Sequence, residues 1–267
     1  MRSLKNPLQT LLQHARKAQR LSQLELALRL DVSQRHVSFV EGGRALPSRK
    51  LLLTWLQTLN VPLAERNAAL QHAGFAAVFS ATPLDDPQMA DVRRSLQQLL
   101  STHDPMLALV IGHAWDLLQL NRGAQWLAQT LMPGLFHSAS AEPLNMLDLL
   151  LHPQGLLSKL LNVADAGADF LTQLRGDLAD QPQLAPRVDA LAALLAPHTA
   201  LGRGVTSEAS SPLLTLRFAS PFGELAFFRM FSTFGSPRDI NLSSLRVEHL
   251  FAADEPTRKV LIEQVKN

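Results

Sequence analysis

The stretch that most constrains the fold of this chain is LSQLELALRLDVSQRHVSFVEGGRALP, residues 21–47. Ser22 suits a helix N-cap, because its hydroxyl can accept a hydrogen bond from a backbone N–H of the first turn. Apolar side chains then recur at helical spacing. The pattern breaks at Asp31, Ser33 offers a second cap, and a glycine pair ending at Gly43 suits a helix stop. The stretch predicts two short helices joined by a tight turn.

This stretch resembles the DNA-binding domain of the lambda-repressor-like, XRE-type regulators. Their pattern is roughly LSQ-x-x-LA, a small turn, V-S, x-x-x-[VI]-S-x-x-E-x-G-x-R, and the matching residues here are Leu21, Ser22, Gln23, Leu26, Ala27, Val32, Ser33, Val37, Ser38, Glu41, Gly43 and Arg44. The family usually has glycine, at positive φ, where this chain has Asp31. Aspartate tolerates that backbone region better than most side chains, so we expect the turn to survive.

The resemblance implies an all-α, five-helix helix-turn-helix domain, and the flanking sequence fits it. One helix is predicted before the motif, ending near Arg20. A fourth begins after Ser48 and carries Trp55 on its apolar face, and a fifth runs from Pro62 to about Ala73.

Composition narrows the class of protein. No apolar run is long enough for a transmembrane helix, and the first ten residues, MRSLKNPLQT, have no signal-peptide core. The chain has no cysteine, which excludes disulfides, thiolate catalysis and zinc-finger chemistry. We expect a cytoplasmic protein without membrane insertion.

Charge is divided unevenly along the chain. Residues 1–80 hold 11 Lys and Arg against 4 Asp and Glu, a net charge of +7, whereas residues 81–267 have a net charge of −5. This division predicts that only the first part meets a polyanion such as double-stranded DNA. The plain alternative is a solvated surface whose charge is uneven.

The second part of the chain mixes helical and strand-like segments. Short apolar runs at 107–111, 116–121 and 245–251 predict strands, and 213–218 with 224–234 predicts a β-hairpin. Helices are expected at 89–102, 122–131, 156–161, 164–178 and 186–195, with a short one at the C-terminus. Strands at both ends of a helical middle predict an α+β domain with one antiparallel sheet.

The hairpin register decides which residues face the core. With a five-residue turn at 219–223, Phe218 pairs near Glu224. The predicted core face then consists of Leu214, Leu216, Phe218, Ala226, Phe228 and Met230. The opposite face mixes Thr215 and Arg217 with Leu225, Phe227, Arg229 and Phe231. It is expected to be a dimer or interdomain surface, with a site for a carboxylate-headed lipid as the alternative.

Three phrases in this part resemble the MmyB-like ligand-binding domain: HAWDLLQLNRGAQWL (113–127), NMLDLLLHPQGL (145–156) and FSTFGSPRDINLSSLRVEHLFAADEPT (231–257). That domain is PAS-like and commonly follows an XRE-type motif. The resemblance implies a pocket for an apolar, fatty-acid-like molecule. Candidate lining residues are Trp115, Asn121, Phe228 and Met230, for which core packing is the alternative. The expected domains are 1–80 for DNA binding, 81–103 as linker and connecting helix, and 104–267 for ligand binding.

In the helix-turn-helix fold the second helix of the motif lies in the major groove, and its N-terminal residues reach base edges. Arginine forms paired hydrogen bonds with guanine and glutamine with adenine, so Gln34 and Arg35 are the predicted base readers. Ser33, His36 and Ser38 are the other candidates, and Phe39 either touches a thymine methyl group or packs. The alternative is a helix face that is only solvated.

Phosphate contacts are predicted beside this helix, where they add affinity without sequence information. Gln23 lies at a helix start, where free backbone N–H groups attract an anion. The other predicted phosphate contacts are Arg44, Ser48, Arg49 and Lys50. Ordinary surface charge is an equal alternative for Arg49 and Lys50, and Glu41 is expected to be structural.

Motifs for catalysis do not occur: the chain has no H-E-x-x-H, no G-x-S-x-G and no phosphate-cradling glycine loop. We expect no enzyme activity, catalytic residue, metal or cofactor. The favoured hypothesis is a dimeric, sequence-specific transcriptional regulator that senses an apolar ligand. Two alternatives stay open: a ligand-independent repressor or antitoxin-like protein whose second domain only dimerises or binds a partner, and an enzyme fused to a DNA-binding domain.

Overall fold

The computed structural model describes residues 7–135, 144–178, 181–202 and 213–265. The chain forms two compact units. The first comprises Met1–Thr82 with Ser236–Ser243, and the second comprises Pro83–Gly235 with Ser244–Asn267.

Residues 7–82 form five helices: α1 Pro7–Ala18, α2 Gln23–Leu30, α3 Gln34–Glu41, α4 Arg49–Thr58 and α5 Leu63–His72. Their apolar faces meet in one core in which Leu26, Val37 and Trp55 are fully buried. The predicted five-helix architecture is confirmed. Burial of these faces supplies most of the stability of helices this short, because isolated helices of eight to twelve residues are marginal in water.

The caps of the helix-turn-helix fix its turn. The Ser22 hydroxyl accepts from the Glu25 backbone N–H, and the Glu25 carboxylate accepts in return from the Ser22 N–H. Asp31 ends α2 in the left-handed region, at φ 52° and ψ 47°. The expectation that aspartate adopts the family's glycine conformation at this turn is confirmed.

The second unit contains a five-stranded sheet. Its strands are β1 Leu107–Ile111, β2 Leu117–Leu120, β3 Thr215–Ser220, β4 Gly223–Thr233 and β5 Arg246–Ala252. They lie in the order β2-β1-β5-β4-β3, and every neighbouring pair is antiparallel. Its helices are α6 Ala90–His103, α7 Arg122–Leu131, α8 Met146–Leu151, α9 Val163–Asp177, α10 Ala185–Gly202 and α12 Glu255–Gln264. The short helix α11, Ile240–Ser244, lies almost entirely in residues of the first unit. The predicted α+β domain with an antiparallel sheet is confirmed.

The predicted register of the β3–β4 hairpin is wrong by one residue. Ser220 pairs with Gly223 across a two-residue turn, so Phe218 pairs with Leu225 and not with Glu224. Side chains alternate between the faces of a strand, and a one-residue slip therefore exchanges the two faces of β4. Leu225 and Phe227, assigned to the arginine-containing face, are fully buried.

Helices cover the inner face of the sheet, which carries Leu216, Phe218, Leu225 and Phe227. The core over this face takes side chains from four helices: Leu127 of α7, Leu150 of α8, Phe170 of α9 and Leu191 of α10. Leu216 and Phe218 therefore lie in the core as predicted, and Leu225 and Phe227 join them from the face that was expected to be a surface.

The other face of the sheet is covered by α6. The His103 ring at the end of α6 lies 4.8 Å from the rings of both His249 and Phe251 on β5, edge to face. Phe251 stacks in turn on Phe228 of β4, with ring centroids 5.2 Å apart. Phe228 therefore packs in an aromatic cluster on this outer face.

Residues 236–243 lie between β4 and β5 in sequence but belong to the first unit. The buried Asp239 carboxylate accepts hydrogen bonds from the Ser80 hydroxyl at 2.7 Å and the Thr82 backbone N–H at 2.9 Å. The Ile240 N–H donates to the Ser80 carbonyl at 2.7 Å, and the Asn241 amide donates to the Thr82 carbonyl at 3.0 Å. We call residues 80–82 and 239–241 the clasp.

Within the described residues, no helix is both long enough and apolar enough to cross a membrane.

Candidate functional site: a nucleic-acid interface and an apolar cavity

The N-terminal turn of α3 presents the predicted base-reading side chains to solvent. The Ser33 hydroxyl accepts from the His36 backbone N–H at 3.2 Å, which fixes the start of the helix. Gln34 and Arg35 are exposed, and His36 is half-buried. Two long polar side chains therefore project from the end of the helix that enters the major groove in this motif.

Phe39 lies between two arginines on the same surface. The Arg35 guanidinium carbon is 5.1 Å from the Phe39 ring centroid and that of Arg44 is 4.2 Å away, both within cation–π range. The Arg44 Nη2 also donates to the Ser38 hydroxyl at 3.4 Å. The aromatic ring supports two cations on one turn of the helix and its following loop, which concentrates positive charge there.

Glu41 closes the motif from within. Its carboxylate is buried and forms a two-point ion pair with Arg16 of α1, at 2.7 and 2.9 Å. The hydrogen bonding that Arg16 donates to this carboxylate is the main cause that raises the pKa of Arg16. The pair ties α1 to α3, so Glu41 has a structural role as expected, although its partner is distant in sequence.

Gln23 takes part in the same network. Its side-chain amide donates to the Glu41 Oε2 at 2.9 Å. A phosphate contact from Gln23 would therefore use its backbone N–H at the start of α2, or would need the amide to leave Glu41. The remaining predicted phosphate contacts are exposed: Ser48 caps α4 by accepting from the Leu51 N–H at 3.2 Å, and Arg49 and Lys50 follow it.

The core of the second unit contains a cavity of about 80 Å³. It lies over the inner face of the sheet, and its walls come from β1, β2, β3, β5 and helices α7 to α9. Seventeen of the eighteen lining side chains are apolar, among them Leu109, Leu127, Leu150 and Phe170. The other lining residue is Glu248 of β5. An interior lined in this way suits an apolar molecule.

Two family models match the chain. A model described as MmyB-like transcription regulator ligand binding domain matches residues 92–263, and a model described as helix-turn-helix matches residues 12–66. The first match alone covers more than half of the chain. The chain belongs to the MmyB-like transcription regulator family. No curated protein matches the chain in sequence.

This MmyB-like regulator is thus a DNA-binding transcription regulator with a ligand-binding domain. In the described residues, no group of three or more His, Asp or Glu side chains is placed to hold a metal ion.

Four residues predicted to line the ligand pocket lie elsewhere in the MmyB-like domain. Trp115 is fully buried, and its indole N–H donates to the Asp177 carboxylate at 2.8 Å. Asn121 is buried and caps α7 by accepting from the Ala124 N–H at 2.9 Å. Phe228 belongs to the outer-face aromatic cluster, and Met230 is 54% exposed. None of these four residues contributes to the lining of the cavity described above.

Glu248 and the ion pair that holds it were missed in the sequence. Glu248 and Leu250 are two residues apart on β5, so their side chains lie on the same face of the sheet. This spacing is visible in the sequence of the strand, RVEHLFA. The spacing shows which face of the strand Glu248 occupies, but it does not show that this face is buried. A charged residue is rarely buried, so the pattern alone does not place Glu248 in the core. The arginine partner, Arg229 of β4, was assigned to a face taken for a surface.

Proposed function

We propose that this MmyB-like regulator binds a specific operator as a homodimer and that an apolar molecule in the cavity of its second unit controls that binding. The cavity lining carries the proposal for the ligand: its apolar walls favour a fatty-acid-like hydrocarbon chain, since burying apolar surface is the main source of affinity in such a site.

The operator half of the proposal rests on α3 and its surroundings. A single recognition helix reads few base pairs, so specific sites need two copies, with half-sites about 34 Å apart along the duplex for a two-fold symmetric dimer. The net charge of +7 on residues 1–80 favours the phosphate backbone, and binding should weaken steeply with salt.

Control of binding is proposed to be a population shift between two spacings of the DNA-binding units. A ligand shifts such an equilibrium only if its affinity differs between the two arrangements. The clasp offers a covalent route, because the chain runs from β4 through residues 236–243 to β5, and β5 carries the cavity residues Glu248 and Leu250.

The ligand-independent alternative, in which the second unit only dimerises or binds a partner, would be favoured by a filled core. The observed cavity therefore supports the proposal that the second unit binds a ligand.

The test is native mass spectrometry of the full chain, followed by identification of what denaturation releases. We expect a dimer that carries a lipid-like small molecule. Ala128 lines the cavity from α7, and Ala128→Phe would fill it, so the variant should remain a dimer and lose the bound mass. Operator affinity, measured with and without the released compound, should change in the wild type only. A wild-type dimer that carries nothing, with an operator affinity unaffected by extracted lipids, would favour the ligand-independent regulator.

A further inference from the structure

Phe39 is an aromatic side chain that the core of the first unit does not use. Its neighbours Val37 and Val40 are fully buried, whereas Phe39 is half-buried and belongs neither to the core nor to the apolar residues packed against it. Its ring instead contacts the guanidinium groups of Arg35 and Arg44. An apolar ring flanked by two cations therefore lies on the face of α3 that carries the predicted base readers.

The local backbone keeps this ring and both arginines together. The Phe39 carbonyl accepts hydrogen bonds from the backbone N–H groups of Arg44 at 2.8 Å and Ala45 at 3.2 Å, so the loop folds back over the last turn of α3. Gly43, at φ 72°, permits this reversal of the chain. Arg35 and Phe39 are four residues apart on one helix, which places both on the same face. The group is thus held in place before any DNA binds.

The chemistry of the major groove limits what the Phe39 ring can contact there. The groove offers one distinctly apolar feature, the C5-methyl group of thymine. The other groups that distinguish the base edges are hydrogen-bond donors and acceptors, and a phenyl ring cannot pair with them. A polar edge placed against the ring would lose water without gaining a partner, which costs free energy. Thymine is therefore the base that fits this ring.

The distance between Arg35 and Phe39 limits how far apart their bases lie. The Arg35 guanidinium carbon is 5.1 Å from the Phe39 ring centroid. Successive bases on one strand are about 3.4 Å apart along the duplex axis. Two groups that contact each other therefore reach neighbouring base pairs. Since arginine pairs best with guanine, the step that this surface fits is a thymine beside a guanine.

We propose that Phe39 is a specificity-determining residue, whose ring contacts the methyl group of a thymine next to the guanine read by Arg35. This proposal rests on the proposed function, because it names a base step within the operator half-site. The competing role is positioning alone, in which the ring orients Arg35 and Arg44 and touches no base. The two roles differ in one measurable property, the response of binding to a single methyl group on the DNA.

The experiment begins with the operator that the full-length protein selects from a random duplex library. The guanine is identified as the one at which Arg35→Ala loses discrimination. Uracil lacks only the methyl group of thymine, so replacing the neighbouring thymine by uracil removes the proposed contact and keeps every hydrogen-bonding group. We expect binding to weaken about fourfold for one half-site and about fifteenfold for both, as for burial of one CH₂ group in each. Fluorescence anisotropy at one fixed salt concentration measures the change.

A second replacement tests the methyl group on a different base. The thymine is changed to cytosine or to 5-methylcytosine, each paired with guanine. These two duplexes differ only in the methyl group, and the methylated one should bind about fourfold more tightly for each half-site changed. Both comparisons use the wild-type protein, so they do not depend on the folding of a variant.

Variants of Phe39 assign the methyl effect to its ring. Because Phe39 lies outside the core, Phe39→Ala should fold, which circular dichroism checks. It should bind the thymine and uracil duplexes equally. Phe39→Leu, which keeps an apolar side chain without an aromatic face, should retain part of the thymine preference. The matched control is Leu28→Ala, which alters an apolar side chain of α2 that is 74% exposed and should keep the full preference.

Three results would overturn the role of Phe39 as a base reader. They are a selected operator without a thymine beside the guanine, equal binding of the thymine and uracil duplexes by the wild type, and a thymine preference unchanged in Phe39→Ala. Each of them would leave specific operator binding intact and would reduce Phe39 to a positioning residue. A selection that yields no preferred sequence would instead contradict the proposed operator binding itself.

Discussion

Arg35 is the residue through which the proposed operator reading is most directly tested. Its side chain is exposed at the first turn of α3, and its guanidinium lies over the Phe39 ring, so its direction is set by a packed neighbour. A pre-oriented arginine loses little freedom when it forms two hydrogen bonds with a guanine.

Arg35→Ala should therefore weaken binding to the preferred operator by about 1–3 kcal/mol and change binding to random DNA little. The measurement is fluorescence anisotropy at one fixed salt concentration with both duplexes. Arg49→Ala is the matched control: an exposed arginine at the start of α4, predicted to contact phosphate, should weaken both duplexes alike. Equal losses on the two duplexes for Arg35→Ala would assign Arg35 to the backbone.

The conformation of a single residue can be predicted from sequence where only its neighbours in the chain determine it. Asp31 adopts a positive φ as expected, because the turn geometry depends on a few neighbouring residues. Gln23 shows the limit: its amide is held by Glu41, eighteen residues away, and no local pattern indicates that bond. Side-chain partners distant in sequence need the fold before they can be named.

In the second unit, the positions of the strands and helices were predicted better than the side of the sheet on which their side chains lie. The strands and most helices lie close to their expected positions because apolar periodicity marks them. The β3–β4 register was wrong because Ala219–Gly223 contains several turn formers, whereas the turn consists of Pro221 and Phe222 alone. That single residue moved Phe228 and Met230 off the core face and placed Leu225 and Phe227 on it, beside Leu216 and Phe218.

We expect acid to destabilise the second unit through the contact of α6 with β5. Burial lowers the pKa of both His103 and His249, and for His249 the charge of His103 lowers it further; hydrogen bonds and the charge of Asp104 oppose the shift at His103. The unfolded chain protonates these histidines near pH 6.5, whereas the folded chain does so only at lower pH. Between those values the unfolded state binds more protons, so the free energy of unfolding falls as the pH falls below about 6.5.

Urea unfolding at a series of pH values between 7.5 and 5 should show this loss, and His249→Gln should reduce its slope. His198→Gln, an exposed histidine on α10 of the same unit, should leave the slope as in the wild type. If His249→Gln shows the wild-type dependence of the free energy of unfolding on pH, the histidine pair is not the cause of that dependence.

At the scale of the whole molecule, the first unit is built from two separate parts of the chain. Asp239 and Ser80 are 159 residues apart, and their contact joins the end of the helix-turn-helix domain to the connection between β4 and β5. The sequence predicts that Ser80 ends the DNA-binding domain and assigns no element to Asp239, and neither composition nor periodicity indicates that they meet. The clasp is therefore a product of the tertiary fold.

Asp239 holds the clasp as a carboxylate. Burial acts to raise its pKa, but hydrogen bonds from Ser80, Thr82 and the Leu242 N–H outweigh burial and lower it. Asp239→Ala removes the acceptor of all three bonds, and we expect a loss of about 1–3 kcal/mol in the free energy of unfolding of the first unit, because hydrogen bonds to a charged acceptor contribute more than neutral ones.

The same variant tests whether the clasp transmits the ligand signal. Under the proposed mechanism, Asp239→Ala should bind the operator with near wild-type affinity in the absence of ligand. Its affinity should no longer change when the compound released from the wild-type protein is added. The matched control is Asp85→Ala, which alters an exposed aspartate shortly after the clasp and should keep both stability and the ligand response. If the ligand response survives in Asp239→Ala, the coupling between cavity and operator runs through another part of the chain. If the response is lost while calorimetry still shows that compound bound, the clasp is the element whose equilibrium the ligand shifts.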